Sequence, residues 1–235
     1  MKLTRAALVL AAGALAPALL LSTPSFAATP AAVPASASAS VDSDTENAVA
    51  IAKILADPAS GKAVKREADK ALSGTPADRV AFLTTGLAKA QDEDNLVAIF
   101  RILGDPSTGK GVKREANKAI DGTPADRVAF LATGLAKAQD EDNMVAILKV
   151  LHANPATGKA VKREANKALD GTPADRTAFL KTGLRLAQAE DDRVDVVRIL
   201  ARPGISDALR AAAEKALNGT PEELRYFLTV GQSQV

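Results

Sequence analysis

The sequence predicts an all-α fold, an α-solenoid of about four tandem ~48-residue repeats with roughly three helices each. Three observations predict it. Residues 113–143 have near copies at 65–95 and 162–192, and a degenerate fourth copy surrounds Gly219, Thr220 and Pro221. Two columns of helix-breaking residues keep the same beat: Pro58, Pro106, Pro155 and Pro203, and Gly74, Gly122, Gly171 and Gly219, each with spacings of 48, 49 and 48. The composition, finally, is rich in the good helix formers Ala, Leu, Lys, Arg and Glu, with 47% hydrophobic but only 3% aromatic residues. Large apolar residues recur about once per repeat, so a unit buries little alone and relies on its neighbours.

Taken in order, residues 1–27 have the form of a secretory leader. Lys2 and Arg5 open it, an apolar run covers 6–21 with Gly13 and Pro17 inside it, and Ser25-Phe26-Ala27 supplies a small-x-small cleavage site. The run is short for a membrane span and contains a proline. No second such run follows, so a secreted protein without a transmembrane segment in the mature chain is expected, with retention at the cell surface left open. There is no cysteine, hence no disulfide and no lipid-anchoring thiol. Of the 30 Lys and Arg, two (Lys2 and Arg5) leave with the leader, which holds no acid, so 28 bases face 28 acids. A global pull toward nucleic acid is therefore not expected.

Residues 28–43 are Pro-, Ala- and Ser-rich and read as a linker. The helical array occupies 44–235, in units of about 44–91, 92–139, 140–188 and 189–235. The one-residue insertion falls near His152, in a loop. Within a unit, helix A covers 96–103, with apolar residues at 96, 99, 100 and 103 on one expected buried face. Helix B runs over 110–120 and buries Val112, Ala116, Ala119 and Ile120. Gly122 is expected to end it, Thr123 to cap the next helix, Pro124 to occupy its first turn and Asp126 to complete a capping box. Helix C then spans 124–139. Its interior Gly134 recurs as Gly86, Gly183 and Gly231, at a cost of roughly 1 kcal/mol against alanine. That recurrence predicts a helix crossing closely there. The fourth unit trades the Lys-Arg-Glu triplet for Arg210, Ala211 and Ala212 and brings in Leu224, Arg225 and Tyr226, as a capping repeat would.

Few motifs carry chemistry. Residues 104–110, GDPSTGK, satisfy part of a phosphate-loop pattern, but Gly111 stands where Ser or Thr is needed and a helix precedes it. His152 is the single histidine and has no evident orienting partner. The acidic runs 92–95, 140–143 and 190–192 lack the spacing of a calcium loop and are expected to end helix C and cap helix A. No metal site, cofactor or catalytic residue is expected. What recurs without a packing role is a set of cations on helix B: Lys62, Lys65 and Arg66; Lys110, Lys113 and Arg114; Lys159, Lys162 and Arg163. Stacked, they would make a basic ladder, the candidate binding site. No aromatic residues interleave it, so a single-stranded nucleic-acid platform is not expected.

The unit GTPADRVAFLATGLAKAQDEDN, with its Ala, Leu and Phe columns, resembles the ALF (alanine-leucine-phenylalanine) short repeat of secreted actinobacterial proteins. The resemblance covers nearly all of 44–231 and implies a secreted helical repeat protein. It brings no catalytic residues with it. The polar residues recur in near-identical sets, whereas catalysis needs one unlike constellation. The expected function is therefore a non-catalytic binding or scaffold module for a protein or an anionic cell-envelope polymer. The alternatives are a carboxylate-dependent hydrolase of such a polymer and a calcium-dependent binding module.

Overall fold

The computed structural model describes residues 36–152 and 157–235. The leader and the first part of the linker lie outside the described residues. The chain divides into two compact units, Met1–Ser43 and Asp44–Val235. The described part of the first, 36–43, is helical and belongs to α1 (Ser36–Ala56), so helix begins within the stretch read as linker. The second carries the array.

Its elements repeat in a fixed order. Helix α1 is followed by α2 (Lys62–Ser73), α3 (Pro76–Ala81), a π-turn (Phe82–Gly86) and α4 (Leu87–Gly104). Then come α5 (Lys110–Asp121), α6 (Pro124–Ala129), a π-turn (Phe130–Gly134) and α7 (Leu135–His152). The third round is α8 (Lys159–Asp170), α9 (Pro173–Ala178), a π-turn (Phe179–Gly183) and α10 (Leu184–Leu200). The array closes with α11 (Asp207–Leu217), α12 (Pro221–Thr229) and a 3-10 turn (Gly231–Ser233). No strand occurs among the described residues.

Helix B, here α2, α5 and α8, lies where its apolar spacing puts it. Helices C and A do not. Helix C continues through its π-turn into helix A of the following unit as one unbroken rod, so the acidic runs sit inside a helix and terminate nothing. The expectation that 92–95, 140–143 and 190–192 end helix C and cap helix A is thus corrected.

The π-turn follows from two residues. The Leu135 N–H donates to the Phe130 carbonyl, five residues back, which adds a residue to the turn. One extra residue rotates the following face by roughly 100°. Thr133 Oγ1 donates to the Ala129 carbonyl at 3.2 Å, occupying an acceptor that the widened turn loosens. Thr85 and Thr182 repeat that bond to Ala81 and Ala178. Gly134 eases the packing here, because a Cβ would stand 3.3 Å from Cδ2 of Phe130, the ring of its own helix, and would press on it. The crossing helix expected at this glycine is not what crowds it.

Each GTP segment is punctuation, as expected, with one change. Thr123 Oγ1 accepts from the Asp126 N–H at 3.3 Å, and Asp126 Oδ2 accepts from the Thr123 N–H at 2.8 Å. Such a cap is worth about 1 kcal/mol. Gly122 has φ −87°, not the left-handed conformation of a C′ glycine. Its missing Cβ instead makes room for the Asp126 carboxylate, which a Cβ would approach to 2.8 Å.

Packing repeats with the same period. Ile99, Ala116, Ala119 and Phe130 form the second unit's core; Ile51, Ala68, Ala71 and Phe82 form the first's, and Ile147, Ala165, Ala168 and Phe179 the third's. Truncating such a buried Phe to Ala costs about 3–5 kcal/mol in general. Phe100, expected on helix A's buried face, is 56% exposed. Ile99 takes the centre of that face, and its neighbour at 100° around the helix is turned outward.

Candidate functional site

Each of the three acids in the run, Asp92, Glu93 and Asp94, has a separate structural task. Asp94 lies in α4, yet its two carboxylate oxygens accept from the Ala63 and Val64 N–H groups at 2.9 and 3.0 Å, capping the free start of α2. Asp142 does the same for Gly111 and Val112, and Asp191 for Ala160 and Val161. The carboxylate occupies the place of a Cβ at Gly61, Gly109 and Gly158. That accounts for the glycine of the phosphate-loop-like sequence: it admits an anion from the protein itself. A carboxylate at the positive end of a helix is favourable on electrostatic grounds as well.

The first acid of the 92–95 and 140–143 runs ties the long helix to helix C of the unit it leads into. Asp92 Oδ1 and Oδ2 accept from Nε and Nη2 of Arg127 at 2.6 and 2.7 Å. Arg127 is buried, and its Nη1 donates to the carbonyls of Ile120 and Gly122 at 3.2 and 2.9 Å, where α5 runs out of helical partners. Asp140–Arg176 and Asp44–Arg79 copy the arrangement. Hydrogen bonds from these guanidiniums hold the carboxyls of Asp44, Asp92 and Asp140 below the ordinary aspartate range. The middle acid, Glu93, meets Arg66 at 2.8 Å; Glu141 and Glu190 meet Arg114 and Arg163 at 3.1 and 2.8 Å.

This divides the expected ladder in two. Arg66, Arg114 and Arg163 are each engaged by two glutamates, one beside them and one on the long helix. These pairs are exposed and screened by solvent, so each adds little to stability. Their consequence is that the arginines are already spoken for. Among the described residues every ion pair uses an arginine and none uses a lysine. Lys62, Lys110, Lys159 and Lys162 stand exposed, and Lys65 and Lys113 are half-buried. Lys113 lies near enough to Asp105 to contribute to holding that carboxyl low, behind the larger effect of a hydrogen bond from Ser107.

Two features escaped sequence reasoning. One is the groove between helix B and the π-turn, lined in the second unit by Lys118, Phe130, Thr133, Gly134 and Lys137. Its signal was the repeated Thr-Gly pair inside helix C. The other is the half-exposed apolar set outside helix A: Val97 and Phe100, Val145 and Leu148, Val194 and Val197. His152 closes α7 as an exposed residue. Among the described residues no three His, Asp or Glu side chains converge as a metal site would require, and no helix is long and apolar enough to cross a membrane.

Residues 49–90, 97–138, 145–187 and 193–234 match the family described as ALF, short repeats of unknown function. No curated protein matches the chain.

Proposed function

The chain belongs to the ALF short-repeat family, and we propose that it works as a non-catalytic scaffold that binds an anionic partner through the lysines of helix B. One observation carries the reading. Internal structure consumes the arginines and the acids of the recurring runs, while Lys62, Lys110 and Lys159 occupy equivalent exposed positions with no ion pair. A compact ammonium on a flexible stem suits a partner met repeatedly along an array, since each contact can be weak and their sum strong. The symmetry of the units argues the same way. A reaction needs a nucleophile or base set apart from its copies, and here the carboxylates of the recurring acidic runs are committed to helix starts and to arginines. The lines of support for secretion are those of the leader sequence.

The test is co-sedimentation of the purified protein with isolated cell envelope. Replacing Lys62, Lys110 and Lys159 by Glu together is expected to abolish pelleting, as is salt of about 1 M, where screening shortens to about 3 Å. Undiminished pelleting of the triple variant overturns the lysine-based reading. Release of soluble fragments from the envelope polymer would establish a hydrolase in its place.

A further inference from the structure

The fourth unit, with the form of a capping repeat, departs most from its copies in the groove between α11 and α12. That groove has a volume of about 760 Å³, within the usual range of a small-molecule site. Its floor is the common one: Ala216, Phe227 and Gly231 stand where the second unit has Ala119, Phe130 and Gly134. Its walls are not. The second unit's groove is lined by three cations and four acids. In the fourth, Ala212 takes the place of Glu115, Asn218 that of Asp121 and Gln234 that of Lys137. One cation and one acid remain, Lys215 and Glu223. Glu223 accepts from the Thr220 N–H at 2.7 Å, and its carboxyl is held low by Thr220 first, with a smaller contribution from Lys215. The two charges offset each other, and amides replace the rest. Such a lining suits a ligand that is polar and uncharged.

Tyr226 adds an aromatic surface. It is the only tyrosine in a chain without tryptophan, and it takes the position of Ala81, Ala129 and Ala178. The residue is 56% exposed, and it lines the groove. Its Cε1 lies 3.8 Å, and Cδ2 of Phe227 3.5 Å, from where a Cβ on Gly231 would stand. These are ordinary contacts, looser than the 3.3 Å at Gly134, so packing does not call for glycine here. The absent side chain leaves the space between the two rings open. Among the described residues the Tyr226 hydroxyl, the Gln234 amide and the Asn218 side-chain oxygen make no hydrogen bond within the protein.

We propose that this groove binds a short neutral oligosaccharide stacked on Tyr226. One face of a pyranose ring is a surface of C–H groups, which lies against an aromatic ring, and its edge is a fringe of hydroxyls that both donate and accept. Tyr226 meets the face, Asn218 and Gln234 meet the edge, and the small floor at Ala216 and Gly231 gives the ring room. This site goes beyond the lysines of helix B and stands without them. The triad of Tyr226, Asn218 and Gln234 occurs in no other unit.

The experiment titrates the purified protein with cellotetraose, mannotetraose and chitotetraose. Emission of the sole tyrosine reports this groove alone, and calorimetry gives the affinity of each variant. A saturable change in emission at millimolar sugar is expected with at least one of the three. Tyr226→Ala restores the residue of the other units, and Gly231→Val fills the space between the rings. Each is expected to weaken binding by about tenfold or more, with the urea midpoint unchanged. The Lys62→Glu, Lys110→Glu, Lys159→Glu variant is expected to keep its sugar affinity. Silence with all three sugars overturns the proposal, as does unchanged affinity in Tyr226→Ala. Neither result touches the lysine reading, which the pelleting test decides.

Discussion

The long helix leading into each unit is joined to that unit's helix C in two ways, and the difference shows what such a junction requires. At the inner junctions Arg79, Arg127 and Arg176 reach back to Asp44, Asp92 and Asp140 with paired hydrogen bonds. At the last junction the same two columns hold Ala189 and Leu224, which are 2% and 0% exposed. Ionic character has not vanished there but moved. Asp192, one turn further along α10, is 3.0 Å from Arg225 of α12. Asn143, the residue aligned with Asp192, bonds Thr177 instead, at 3.1 Å. Helix starts are handled with the same freedom. Where Gly109 admits the remote Asp142, Ser206 caps α11 with its own hydroxyl, accepting from the Leu209 N–H at 3.0 Å. A charged pair and an apolar pair serve equally when both partners change together, and a remote cap is exchangeable for a local one.

The largest effect should come from breaking that rule at an inner junction. Arg127→Leu leaves the Asp92 carboxylate half-buried without its guanidinium and the carbonyls of Ile120 and Gly122 without a donor. Urea denaturation followed by circular dichroism is expected to show a marked drop in midpoint. Asp92→Ala combined with Arg127→Leu copies the last junction and is expected to regain most of the loss. A double variant as unstable as the two single losses added would mean that the junction types are not interchangeable.

Acid should separate the two kinds of junction next. Asp44, Asp92 and Asp140 have folded-state values below ordinary because of their arginine hydrogen bonds. Their contribution is present above the unfolded value and disappears as pH falls through the folded one. Asp192 is displaced upward by burial, which outweighs the attraction of Arg225. Its contribution runs the other way, complete below the unfolded value and lost as pH rises through the folded one. The capping-box carboxyls Asp126, Asp175 and Glu223 are also held low by their Thr partners, so amide exchange, corrected for its intrinsic rate, is expected to quicken in α6, α9 and α12 below about pH 4, and more in α6 and α9, which lose the Asp92 and Asp140 pairs as well. Loss of protection in α12 ahead of α6 and α9 would reverse the assignment.

The parts that were legible in the sequence are those governed by local rules. The repeat period, helix B and the Thr-Pro-x-Asp capping boxes depend on residues within one turn of each other, and spacing reveals them. The illegible parts join residues about thirty positions apart. Nothing local tells that Asp94 belongs to the start of α2 and not to the helix it sits in, or that Asp92 is held by Arg127. An acidic run beside a turn-like Asn looks like a helix end until those remote partners are known. For the same reason the ladder of nine cations could be seen but not divided: which of them were free depended on Glu93, Glu141 and Glu190 reaching across. The groove was hidden because a π-turn is a property of the packed helix, with a Thr-Gly pair as its only trace.

The smallest expected effect is the most discriminating. Asp192→Asn restores to the last junction the residue that Asn95 and Asn143 provide inside the array. Arg225 loses its partner, but its side chain is 51% exposed and water can solvate it. Relief of a buried charge offsets the lost attraction, so stability near neutral pH should change by no more than about 0.5 kcal/mol. Asp140→Asn, by contrast, removes a charge that two nitrogens of the buried Arg176 depend on, and should destabilise clearly at the same pH. The Asp192→Asn variant should also lose the relative acid resistance of α12, because the titrating group is gone. Retention of that resistance would place its origin in the Ala189–Leu224 contact and leave Asp192 with no part in how the two junctions differ.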